Sequence, residues 1–174
     1  MSVLLCNEIE YKELERLLAK FNISIALVDQ NKEIPGSWFG DSEAGLVKNQ
    51  LHIRMDTPVH SALHEAGHFI CMDENRRQAL HTNAGGDYDE ENAVCYLQIL
   101  LAEYINGFGR ERAYKDMDEW GYTFRLGSSQ AWFENDAEDA FDWLVEQNII
   151  DNRNNILWRG NQARTALYGS RTIL

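Results

Sequence analysis

Apolar residues change their period twice in the first sixty positions. Residues 7–21 place Ile9, Leu14, Leu17, Leu18 and Phe21 on one side of a helix, and Asn22 can end it. Residues 23–28 are then apolar and rich in β-branched side chains, as in a buried strand. A turn over 30–35 follows, 36–40 can open a second strand, and 41–45 is loop. Residues 46–54 end in alternation, Leu51 and Ile53 facing one way and His52 and Arg54 the other, which predicts a half-buried strand. Thr57 as N-cap with Pro58 at the first helical position marks a helix start. Val59, Leu63, Ala66, Phe69 and Ile70 extend that helix over about 57–72.

The second half is more helical. Residues 73–86 are polar and irregular and close on the turn signal Asn83-Ala84-Gly85-Gly86. A strong helix is expected over 88–106, with Ala93, Tyr96, Leu97, Leu100, Leu101 and Tyr104 apolar, stopped by Gly107 and Gly109. Two further helices are expected over 110–120 and 128–147. The tail has Ile149-Ile150 and Ile156-Leu157-Trp158 for a short strand or a docking segment. With no repeat, low-complexity tract or linker, the pattern predicts one α+β domain over 1–174. It has a small N-terminal sheet and a helical part over 107–174.

Composition narrows the partners. A chain of 174 residues with 44% hydrophobic content has a real core to bury. A net charge of −12 and the lack of a Lys/Arg-rich cluster argue against nucleic acid and against anionic membranes. The three cysteines, Cys6, Cys71 and Cys95, are odd in number and form no C-x-x-C pair, which excludes a thiolate zinc ribbon and points to a reducing compartment. The first residues lack the basic and apolar regions of a signal peptide, and no apolar run approaches a bilayer span. A cytoplasmic protein is therefore expected.

The chemistry concentrates at His64-Glu65-Ala66-Gly67-His68, which reads H-E-x-x-H. On a helix, His64 and His68 project from one face, one turn apart, and can fill two corners of a tetrahedral Zn²⁺ site. Glu65 then lies beside the metal, where a general base for an attacking water sits. A third protein ligand is needed. His81, Asp87, Asp89 and Glu74 are candidates, but the first turn of the next helix, Glu90 and Glu91, is better placed if that helix packs antiparallel to the motif helix. His60, one turn before His64, is a possible fourth ligand that would close the site. Tyr88, Tyr96, Tyr104, Tyr122 and Arg125 include possible oxyanion stabilisers.

Residues 45–105 resemble small intracellular gluzincins, most closely the ImmA/IrrE-type metallopeptidases. These have H-E-x-G-H followed by a segment like Glu90-x-x-Ala93-x-x-Tyr96-Leu97-x-x-Leu100-Leu101. The resemblance implies a minigluzincin-like fold, with an edge strand beside the motif helix and a metal-binding core over about 45–106. It also implies a zinc-dependent peptidase that hydrolyses a peptide or protein substrate, with His64, His68 and Glu90 as zinc ligands and Glu65 as catalytic base. Glu91 is the register-shifted alternative. The chain departs from the family where an Asn or Asp usually follows the ligand Glu by four residues: that position is Val94, or Cys95 if Glu91 is the ligand. It also leaves no room for the DNA-binding helix-turn-helix domain that the family often carries. The contrasting expectation is a catalytically silent, zinc-stabilised interaction domain, with Trp120, Trp132, Phe133, Trp143 and Trp158 as an aromatic contact surface.

Overall fold

A computed structural model describes residues 2–37, 40, 42–80 and 85–158. Trp38 and Phe39 of the expected second strand, the candidate ligand His81 and the last sixteen positions, 159–174, lie outside the described residues.

The fold is α+β, with seven α-helices and one three-stranded mixed sheet among the described residues. Helix α1 (Tyr11–Ala19) buries Leu14, Leu17 and Leu18 and leads through Asn22, at φ 60°, into β1 (Ser24–Leu27). The expected single strand over 46–54 is instead a hairpin, β2 (Gly45–Val47) and β3 (Gln50–Ile53), turning at Lys48 with φ 53°. Strand β3 pairs with β1 in parallel and with β2 antiparallel, so that Leu51 faces Ile25 on one side and Leu46 on the other. The strand leading into the motif helix is therefore central, and β2 is an outer strand. Gly36 and Pro35 lie so close to the backbone of Leu46 and Gly45 that neither Gly36 nor Gly45 has room for a Cβ.

The motif helix is α2 (Val59–Cys71). Thr57 does not cap it: the Thr57 hydroxyl accepts from Arg54 N–H (2.9 Å) in the turn after β3. The Pro58 carbonyl receives the first helical bonds, and the free Val59 N–H donates to Leu4 O at 2.9 Å. At the other end Arg77 reaches back from α3 (Glu74–Ala79), a short helix within the segment expected to be irregular. Its guanidinium donates to Phe69 O (2.8 Å) and Ile70 O (2.9 Å), satisfying carbonyls that α2 leaves open.

Helix α4 (Tyr88–Ala102) runs through the middle of the molecule, and every residue from Ala93 to Ala102 is buried. It ends earlier than the apolar pattern implies because Glu103, Tyr104 and Ile105 bond to carbonyls three residues back, tightening the chain out of the α-helix. After α5 (Gly109–Trp120), the expected helix over 128–147 is broken into α6 (Ser129–Asn135) and α7 (Glu138–Glu146). The break falls at Asp136, whose backbone leaves the helical region and whose carboxylate pairs with Arg125 at 2.8 Å. In the tail, Ile150 and Ile156 form an isolated antiparallel bridge. Among the described residues no helix is long and apolar enough to cross a membrane.

Helix α2 crosses α4 at Gly67, where a Cβ would meet the Val94 side chain at 3.0 Å. That small residue sets how near the two helices come. A larger side chain must push them apart. Gly67→Leu is expected to cost about 1–3 kcal/mol in urea unfolding, and unchanged stability would show that the helices do not close on each other there.

Candidate metal centre

Helix α2 carries His60, His64 and His68 down one face, and the facing stripe of α4 is Glu91, Cys95 and Gln98, spaced i, i+4, i+7. The two stripes meet. His64 Nε2 and His68 Nε2 are 3.1 Å apart, with their rings perpendicular at 89°. The Glu91 carboxylate straddles them, Oε1 at 3.1 Å from His64 Nε2 and Oε2 at 3.3 Å from His68 Nε2. A tetrahedral ion with bonds of about 2.0–2.1 Å separates its ligand atoms by about 3.3–3.4 Å. Two imidazole nitrogens and one carboxylate thus stand near the spacing that zinc demands, and the donor set is one zinc accepts. Glu65 lies beside them, with a carboxylate oxygen within 4.8 Å of the His64 and His68 donor atoms. Glu91 is 48% exposed along its side chain and His64 only 15%, so the cradle opens to solvent past the carboxylate.

Glu90, expected as the third ligand, points elsewhere. Its carboxylate is almost buried and takes a two-pronged ion pair from Arg76, 2.7 and 2.9 Å, on α3. One residue is about 100° of helix rotation, so in this register Glu91 faces α2 while Glu90 faces α3. The register is held by Asp87, whose side chain caps α4 by accepting from Glu90 N–H at 2.9 Å. Asp87 is thus a cap, Asp89 is exposed, and Glu74 pairs with Arg77 at 3.7 Å.

The residue that orients His64 is Gln98. His64 Nδ1–H donates to Gln98 Oε1 at 2.7 Å, which fixes the ring and its tautomer and leaves Nε2 facing the cradle. The Gln98 amide also donates to His60 O at 3.4 Å. A buried Gln in an otherwise apolar stretch of helix, seven residues after Glu91, was the available signal. His68 Nδ1 is buried with no partner among the described residues. His60 is buried too, and its Nδ1 lies 3.4 Å from the Tyr122 hydroxyl. Of the five residues named for oxyanion stabilisation, Tyr122 alone borders this site, its ring edge-on to His64 at 5.7 Å. Tyr96 is bonded to Asn154, Tyr104 packs on Trp158, Tyr88 is exposed, and Arg125 holds Asp136.

Burial and charge work against each other here. Burial, with Glu43 and Glu91 adding and His64 opposing, pushes the Glu65 carboxyl up to about 7. Burial and the neighbouring His64 charge hold His60 down to about 3. Burial and His64 likewise take His68 down to about 4, against the pull of Glu91. Burial also opposes charge on His64, yet Tyr122, the Cys95 thiol and Glu91 keep its pKa well above that of an ordinary imidazole. The Cys95 thiol shares a second donor group with His64 and Glu91, the three atoms within 4.8 Å of one another.

No protein-family model matches this chain, and no curated protein or solved structure matches it at a significant level. Function therefore has to be read from the site.

The geometry separates the two acidic neighbours. Glu91→Gln is expected to cost most of the zinc affinity in a competition titration, whereas Glu90→Gln lowers stability by weakening the ion pair with Arg76 but keeps about one zinc per chain. Gln98→Leu is expected to weaken zinc binding about 10–100-fold. Loss of zinc with Glu90→Gln and its retention with Glu91→Gln would reverse the assignment.

Proposed function

We propose that this chain is a zinc-dependent metallopeptidase of gluzincin type, related in plan to the ImmA/IrrE-type enzymes, with Glu91 in the ligand role that the resemblance gave to Glu90. The observation that carries the reading is the convergence of His64 Nε2, His68 Nε2 and the Glu91 carboxylate at 3.1–3.3 Å, with Glu65 next to them. Bound in that cradle, zinc supplies a Lewis acid for the scissile carbonyl and lowers the pKa of water to about 7.

The residues of the chain have separate tasks. His64, His68 and Glu91 hold the ion, and Gln98 orients His64. Glu65 takes a proton from the attacking water as the oxygen bonds to the carbonyl carbon. It then passes that proton to the leaving nitrogen as the C–N bond breaks. A divalent cation in the cradle also favours ionised Glu65, restoring a base that burial alone would keep half protonated near neutral pH. Peptide backbone does not add to β3, because both of its edges are already paired. The three cysteines are free and buried, which fits the reducing cytoplasm we propose for this protein.

A second reading has one observation in its favour. Cys95 stands near His64 and Glu91 and offers a fourth protein ligand, which would make the site a closed staple of a non-catalytic domain. The aromatic surface expected for such a domain is mostly core: Trp132 is buried, and Phe133, Trp143 and Trp158 pack against it.

Zinc-loaded protein is expected to cleave members of a mixed peptide library, and Glu65→Gln to bind zinc normally but lose at least about 100-fold in turnover. Full activity in that variant would remove Glu65 from the chemistry. Cys95→Ser is expected to leave zinc affinity unchanged, and a large loss would favour the staple.

A further inference from the structure

A second cluster of side chains stands one turn along α2 from the cradle. Trp120, the last residue of α5, stays 40% exposed although its ring meets the buried His60 ring at 5.2 Å, inclined at 61°. Its indole N–H donates to Glu43 Oε1 at 3.0 Å. Glu43 is positioned in turn by its neighbour, since Ala44 N–H donates to the buried Ser61 hydroxyl of α2 at 3.0 Å. Trp120 and Glu43 therefore brace each other over the first turn of α2. Among the described residues no cation pairs with Glu43, and its Oε2 makes no hydrogen bond.

We propose that Trp120 and Glu43 form the subsite for a basic side chain, Lys or Arg, next to the scissile bond of the substrate. The proposal rests on the peptidase reading. An exposed indole face attracts a cation through its quadrupole, and a carboxylate at the edge of that face completes the recognition of a guanidinium or ammonium. The reach is right: His60 lies one helical turn, about 5.4 Å, before His64. Side chains on the same side of an extended peptide recur at about 6.5–7 Å. A residue flanking the bond at the cradle thus meets the Trp120 wall. A net charge of −12 draws basic peptides toward the molecule at long range.

The test separates this subsite from the peptidase reading. Zinc-loaded protein carrying Glu65→Gln is titrated calorimetrically with blocked hexapeptides in which Arg or its uncharged stand-in norleucine occupies each position in turn. At one position Arg is expected to bind about tenfold more tightly than norleucine, and Glu43→Gln or Trp120→Leu to remove that difference. Equal binding of Arg and norleucine everywhere, or a preference that survives Glu43→Gln, would overturn the subsite. If the preference is present and depends on Glu43, but the unaltered protein hydrolyses none of the peptides, Trp120 and Glu43 stand as a binding site for a basic side chain, and the peptidase reading falls together with the scissile bond beside it. If no peptide binds at all, both fall.

Discussion

The close crossing of α2 and α4 is the constraint on which the site depends. Gly67 has no Cβ, Val94 fills the space, and the two helices meet face to face. Everything in the cradle follows from that contact. The imidazoles come from consecutive turns of α2, and Glu91, Cys95 and Gln98 come from consecutive turns of α4. Neither helix holds the donor set alone. Both are buried along most of their length, so the donors are mounted on the most rigid part of the molecule. The ends are secured separately: Leu4 and Arg77 satisfy the open backbone groups of α2, and Asp87 caps α4.

Much of this was legible in the chain. The apolar stripes of α1, α2 and α4 report burial directly, and the His-x-x-x-His spacing needs only a helix to bring its two nitrogens together. Legibility ends where one element chooses between neighbours on another. Glu90 and Glu91 are equally good first-turn acids, and Arg76 decides between them. That Arg acts from α3, a helix of six residues too short to show a period. The hairpin over 45–53 was hidden in a similar way. Its turn, Lys48-Asn49, uses Lys48 in a left-handed conformation without a glycine, so only Asn49 hints at the break. The division between α6 and α7 has no Gly or Pro either, and depends on the distant Arg125. Gln98 is a weak signal, because a single polar residue in an apolar helix usually has a packing partner and no chemistry.

The electrostatics around the cradle fit the cation that we propose for it. Glu65 and Glu91 face three histidines in a partly buried space. Burial pushes the Glu65 carboxyl up and two of the imidazoles down, while the neighbours of His64 raise its pKa against burial. These groups cannot all reach their preferred charge at once in the metal-free protein. A divalent ion resolves the conflict by stabilising both carboxylates and taking the lone pairs of neutral imidazoles. Under that proposal metal binding would stabilise the folded cradle, because the same side chains would serve both.

X-ray absorption at the zinc edge, on protein purified without a histidine tag and loaded at neutral pH, tests the central claim most directly. The expected result is about one zinc per chain, with nitrogen and oxygen neighbours at about 2.0–2.1 Å and no sulfur. A protein that takes up no stoichiometric zinc, or a shell with a sulfur at about 2.3 Å from Cys95, would contradict an open three-ligand site built from His64, His68 and Glu91.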